Sequence, residues 1–190
     1  MNLNVASIGG ALAQTTPLTL GETGLVGAGV MLLLYPRNGE VCVLLNKRTQ
    51  LVEHHKGEIS LPGGARDPGD ATILDTALRE THEEMGISRE DVVVLGRLDQ
   101  VSTRSGFAIT PFVGTIPESY SFKASRAEVA EVLEVPLSLL LNPVYRQESA
   151  RIEGDGAIKT YSYAFGEHLI WGATARILTQ FLGLITPVLR

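Results

Sequence analysis

The chain has 190 residues, 44% of them hydrophobic and 19% charged, enough for one soluble domain with a real core. Sixteen Lys and Arg against 21 Asp and Glu leave a formal charge of -5, which sets the surface against a nucleic-acid polymer but leaves small phosphates open as ligands. Cys42 is the single cysteine and closes no internal disulfide, no run reaches the roughly 18 apolar residues of a membrane span, and the N-terminus lacks the basic start of a secretory signal, so a reducing, cytoplasmic setting without membrane contact is expected.

Residues 1–24 are rich in Gly, Thr and other small residues without periodicity, which predicts a loosely ordered N-terminal arm ahead of one domain over 25–190. Short apolar runs follow at Leu25 to Leu34 and Val41 to Leu45, and Asn38-Gly39 between them predicts a hairpin. Beyond the glycine-dense segment Lys56 to Gly64, apolar residues Leu74, Ala77, Leu78, Thr81 and Met85 recur at helical spacing. They predict a helix from Asp70, as N-cap, to Gly86. Strands are expected at Val92 to Leu95, Ile109 to Gly114 and Tyr161 to Phe165, with Ser102 to Gly106 as a polar loop. A helical patch is expected around Glu128 to Leu133, and a closing helix over Ile170 to Leu184 with Trp171 packed on its buried side. This mixed order suggests an α+β fold, a sandwich of helices about one core sheet, without internal repeats.

The chemistry concentrates on the first helix. At about 100° per residue, Glu80 and Glu84 lie about 40° apart and Glu83 about 60° to the other side of Glu80, so three carboxylates share one face beside the apolar stripe. Like charges at these spacings repel, and they stand near the negative end of the helix dipole. Arg79 can reach Glu83 but cannot neutralise the cluster alone, whereas a hard divalent cation suits carboxylate oxygens. The competing reading is a solvated charged face. The preceding Gly63-Gly64 favours the cation, because backbone without a Cβ can approach a metal or phosphate and offer its carbonyls.

Arg79-Glu80, Glu83-Glu84, Gly86 and Ile87 resemble the second half of the Nudix box, in which Arg-Glu, an aliphatic residue, any residue and Glu-Glu precede Gly and an aliphatic. Thr81 takes the aliphatic position, and Asp70 stands near the box's first Glu but one residue out of step with Arg79. The wider context is similar to the coenzyme A pyrophosphatase branch. Its upstream signature resembles Leu44 to Thr49 and His55 to Asp67, with Asn46 and Leu61 in place of Thr and Phe, and Thr110 to Gly114, Glu128 to Leu137 and Trp171 to Ala175 look like its later segments.

The resemblance implies a Nudix-type α/β/α sandwich with a central mixed sheet, acting as a Mg²⁺- or Mn²⁺-dependent pyrophosphohydrolase on coenzyme A or its thioesters. It implies Glu80 and Glu84 as principal metal ligands, joined by Glu83 and by a carbonyl of the glycine loop at Gly64. Glu128 is the candidate general base with Glu83 as its rival, and Glu128 could equally be a helix-start residue. Arg79 is expected to fix the orientation of Glu83; Arg48, His55, Lys56, Gly63 and Arg66 are candidates for contacting the substrate's phosphates, each with an ordinary loop or surface role as the alternative. His54, His82 and His168 lack zinc-ligand spacing. ADP-ribose, another dinucleotide or a nucleoside triphosphate are alternative substrates, and a silent nucleotide-binding module is the non-enzymatic alternative. A homodimer is expected only by analogy with the fold family.

Overall fold

The computed structural model describes residues 5–21, 24–51, 56–153 and 156–188, with the side chains of 151–158 left aside. In chain order its elements are α1 (Val5–Ala13), β1 (Val26–Arg37), β2 (Glu40–Arg48), β3 (Ile59–Ser60), β4 (Gly63–Ala65), α2 (Ile73–Met85), β5 (Val93–Arg97), β6 (Val101–Ser102), β7 (Phe107–Thr115), β8 (Val129–Pro136), α3 (Leu137–Leu141), β9 (Arg146–Glu153), β10 (Gly156–Phe165), β11 (His168–Ile170) and α4 (Gly172–Ile185). Among the described residues no helix is long and apolar enough to cross a membrane.

The central sheet runs β3-β2-β1-β7-β5, with β4 also on β1, β6 on β7 and β8 on β2. It is mixed, because β1 and β7 are parallel while its other pairs are antiparallel. The unbroken apolar run of β1 follows from burial on both faces. Met31, Leu33 and Tyr35 join Cys42 and Leu44 of β2 in the core under α2, whereas Val30, Leu32 and Leu34 join Val43 and Leu45 in the core shared with α1 and α4. Burial together with Glu134 and Glu40 pushes the Cys42 thiol up to about 11, so it packs as a small apolar group. A second sheet, β11-β10-β9, lies against α4 through β10.

The predicted hairpin is present: Arg37 pairs with Glu40 across Asn38 and Gly39, both at positive φ. Three expectations are corrected. The segment expected as a loose arm contains α1, whose Ile8 and Leu12 are buried against the α4 side of the sheet; packing, rather than propensity, holds this Gly-containing helix. Beyond it, Leu18 lies along the β5–β6 connection, its N–H donating to Asp99 and its carbonyl accepting from the Gln100 N–H. Residues 129–133, expected to be helical, belong to β8, since pairing with β2 from Cys42–Pro136 to Arg48–Val129 overrides the local pattern. Trp171 does not pack the closing helix: it stands at the N-cap of α4, 52% exposed. Ile8→Ala is expected to lower unfolding stability by about 2–4 kcal/mol, measured by urea denaturation, because it empties a fully buried site; a loose arm would give no change.

Candidate active site

The helix that carries the carboxylates starts at Thr72. Its hydroxyl accepts from the Asp75 N–H while the Asp75 carboxylate accepts from the Thr72 N–H, a reciprocal cap that fixes the first turn. Asp70, expected as the cap, sits two residues earlier and is buried. It accepts from the Asp67 N–H, the Thr76 hydroxyl and, through both oxygens, from Arg79 Nε and Nη2 at 2.9 and 3.0 Å. The Arg79 guanidinium, aided by these hydrogen bonds, holds the Asp70 carboxyl well below the usual carboxylate range. Thr81 stays fully buried because its hydroxyl donates to the Ala77 carbonyl, so a polar residue serves at an aliphatic position.

Arg79 is the hub. Its Nη1 donates to Glu80 at 2.8 Å and Glu83 at 3.0 Å, and its Nη2 to the Ala65 carbonyl at 3.3 Å. Glu83 is half exposed, Glu80 mostly covered and Glu84 2% exposed, so the three carboxylates divide by depth. Glu84 points under the sheet end, where Oε2 accepts from Asn46 Nδ2 at 2.9 Å and the Gly63 N–H at 3.1 Å, and Oε1 faces Arg48 Nη1 at 3.3 Å. Burial raises the Glu84 pKa to about 7 against the opposing Gly63 N–H and Arg48, with Glu80 and Glu128 adding repulsion. Burial also raises Glu80, with Arg79 opposing and Glu83 and Glu128 reinforcing.

The two glycines act differently. A Cβ on Gly63 would strike the Gly29 carbonyl and Val30 of β1, and its φ of +148° excludes ordinary side chains. A Cβ on Gly64 would fall 2.5 Å from the Glu80 carboxyl carbon, so here the bare backbone closes directly over a carboxylate. Gly63, expected at the substrate, instead spends its N–H on Glu84.

Among the other expected residues, Glu128 lies in the connection just before β8, not at a helix start, close enough to raise both Glu80 and Glu84. Arg66 donates to the Asp70 and Ala71 carbonyls, shaping the turn into α2. Lys56 is exposed in the turn before β3, and His54 and His55 lie outside the described residues. His82 approaches the Ile87 carbonyl and His168 faces Glu131 at 3.4 Å, both away from the carboxylates. A cavity of about 520 Å³ lies on the flank of α2 with Asp75, Leu78 and His82, but its Arg79 and Arg89 are already paired with Asp70 and Asp75. This hollow therefore offers no unpaired arginine to an anion.

Sequence reasoning missed Asn46 and Ser60 as parts of the site. The signal was available: Cys42, Leu44 and Asn46 alternate along β2 toward α2, so a carboxamide follows two core residues on the face that meets Glu84.

With this geometry in view, residues 26–143 match the NUDIX domain family. The chain belongs to the Nudix hydrolase family. It is 40% identical over 139 residues to Nudix hydrolase NudL of Photorhabdus laumondii, covering 73% of this chain and 74% of that protein. Two solved structures share the fold: the Nudix hydrolase RenU of M. smegmatis, with a TM-score of 0.57, 24% identity and coverage of 88% of this chain and 89% of that one, and a MutT/nudix family protein of Enterococcus faecalis, with a TM-score of 0.58, 17% identity and coverage of 97% and 70%. The mixed sheet between α2 and the α1/α4 side is thus a Nudix architecture.

Among the described residues no three acidic, His or Cys side chains are grouped as a metal site: Arg79 engages Glu80 and Glu83, and Asn46 and the Gly63 N–H engage Glu84. The donor set nonetheless fits a hard cation. It is all oxygen: two covered carboxylates, a half-exposed third, and a glycine backbone that approaches Glu80 where a Cβ would strike it.

Proposed function

We propose that this Nudix hydrolase is a Mg²⁺- or Mn²⁺-dependent pyrophosphohydrolase of the cytoplasm that cleaves the diphosphate of coenzyme A or its thioesters, releasing 3′-phospho-ADP and (acyl-)4′-phosphopantetheine. The observation that carries the reaction class is the covered Glu80 and Glu84 pair pressed against Gly63-Gly64, with Arg79 and Arg48 already engaged. The choice of coenzyme A rests on the resemblance over Leu44 to Asp67.

Glu80 and Glu84 would hold the cation, with Glu83 and the Gly64 carbonyl as further oxygens. When bound, it supplies charge withdrawal from the diphosphate and a water of lowered pKa. The rest falls to the chain. Arg79, braced by Asp70, fixes Glu80 and Glu83; the Gly63 N–H fixes Glu84. Glu128 is the general base, favoured over Glu83 because Glu83 is tied to Arg79 whereas Glu128 borders both covered carboxylates. Arg48, Lys56, His55 and Arg66 are assigned to substrate phosphates, and Arg48 is the best supported: its Nε is a buried donor without a hydrogen-bond partner among the described residues.

Initial rates with Mg²⁺ on coenzyme A, acetyl-coenzyme A, ADP-ribose, a dinucleoside polyphosphate and a nucleoside triphosphate test the reading. A kcat/KM for coenzyme A or its thioester at least about tenfold above the others is expected, a margin of about 1.4 kcal/mol in transition-state binding. Cleavage of ADP-ribose with coenzyme A intact would overturn the substrate assignment, and tight binding without turnover would overturn the catalytic one.

A further inference from the structure

Asn46 is fully buried, yet its carboxamide has both ends engaged. Nδ2 donates to Glu84 Oε2 at 2.9 Å, and Oδ1 accepts from the Ser60 hydroxyl at 2.5 Å. Ser60 is the cross-strand partner of Asn46, so the β2–β3 register places hydroxyl and carboxamide side by side facing α2. An ionised carboxylate only accepts hydrogen bonds, so the amide has one workable orientation; turned over, Oδ1 would face Oε2, oxygen against oxygen. We infer that Asn46 and Ser60 form a positioning pair for this chain's Glu84, locking Oε2 so that Oε1 is the oxygen presented to the cation.

The charges support this division. Oε2 takes two neutral donors, Asn46 Nδ2 and the Gly63 N–H, which orient the carboxylate without cancelling its charge. Among the described residues Oε1 meets Arg48 Nη1, at a longer 3.3 Å and from a partly exposed side chain. Ser60 anchors the far end of the Asn46 carboxamide by donating to Oδ1, while the carboxylate decides which end of the amide faces it. Asn46 touches neither substrate nor cation; it acts through Glu84.

The inference rests on Glu84 being a cation ligand, and the test separates the two. Mn²⁺ affinity is measured by paramagnetic resonance without substrate, and kcat and KM for the best substrate with Mg²⁺, in wild type, Asn46→Ala, Asn46→Thr, Ser60→Ala and Glu84→Gln. Removing a hydrogen-bond partner of a metal ligand costs about 10–100-fold in affinity. Asn46→Ala is accordingly expected to weaken Mn²⁺ about tenfold and lower kcat with KM little changed, Ser60→Ala to show the same pattern about threefold, and Asn46→Thr to recover most of the loss. If Glu84→Gln loses Mn²⁺ while Asn46→Ala and Ser60→Ala bind it as wild type does, the positioning pair is overturned and the ligand role stands. If Glu84→Gln binds Mn²⁺ normally, the ligand role itself fails. Should Asn46→Ala not fold, Ser60→Ala, which alters a partly exposed strand residue, decides alone.

Discussion

Glu84→Gln is expected to reduce turnover by about three orders of magnitude and, in metal-free protein, to raise thermal stability at pH 8. The first effect follows from deleting a charged oxygen donor at the covered end of the carboxylate set. The second follows from the direction of the Glu84 shift. Its carboxyl titrates at the usual 4.5 in the unfolded chain and at about 7 in the folded one, so the folded state holds its proton longer. Stability is therefore unaffected by this group below the unfolded pKa, falls as pH rises through the interval, and stays lowered above the folded value. A shift of this size corresponds to about 3 kcal/mol, or about 6–12 °C in melting temperature for a chain of this length. Gln keeps an oxygen for Asn46 and Gly63 but carries no charge. Melting curves of wild type and variant with a chelator should coincide at about pH 4, below the unfolded pKa, and separate by about pH 8, the variant melting higher; equal melting at the higher pH would show that Glu84 is not strained by its burial.

Gly64→Ala should remove most activity while sparing the fold, about 100-fold in kcat with melting temperature shifted by a few degrees at most. The added methyl lands on the Glu80 carboxylate, the movable end of a side chain, so the protein yields by displacing the very group proposed to hold the cation. Gly63→Ala provides the contrast. There the methyl meets the backbone of β1, which cannot yield cheaply, at a φ that disfavours any side chain, and a stability loss of about 3 kcal/mol or more is expected. Paired denaturation and rate measurements on the two variants check this; a Gly64→Ala enzyme with normal kcat would separate the loop from catalysis.

The parts of the fold and site visible in the sequence are those set by local pattern. The β1–β2 hairpin could be read at Asn38-Gly39 because its turn demands positive φ, and the carboxylate face because helical spacing dictates which glutamates are neighbours. What stayed hidden depends on long-range contact. The Glu128 to Leu133 segment has a helical texture, but its partner strand β2 lies more than 80 residues earlier, and pairing decides its state. Val5 to Ala13 is weakly patterned, and its helix exists because Ile8 and Leu12 find the core. Asp70 occupies a plausible cap position yet is claimed by Arg79 nine residues on, displacing the cap to Thr72. Asn46 and Ser60 are 14 residues apart, and only the β2–β3 register brings them together at Glu84.

The reaction proposed at Glu80 and Glu84 is cation-dependent cleavage of the diphosphate of coenzyme A. Mass analysis of coenzyme A incubated with the protein, in Mg²⁺ and again with excess chelator, tests it most directly. 3′-phospho-ADP and 4′-phosphopantetheine are expected in Mg²⁺ and intact coenzyme A under chelation; coenzyme A left whole in Mg²⁺, or cleaved equally with and without the chelator, would rule this reaction out.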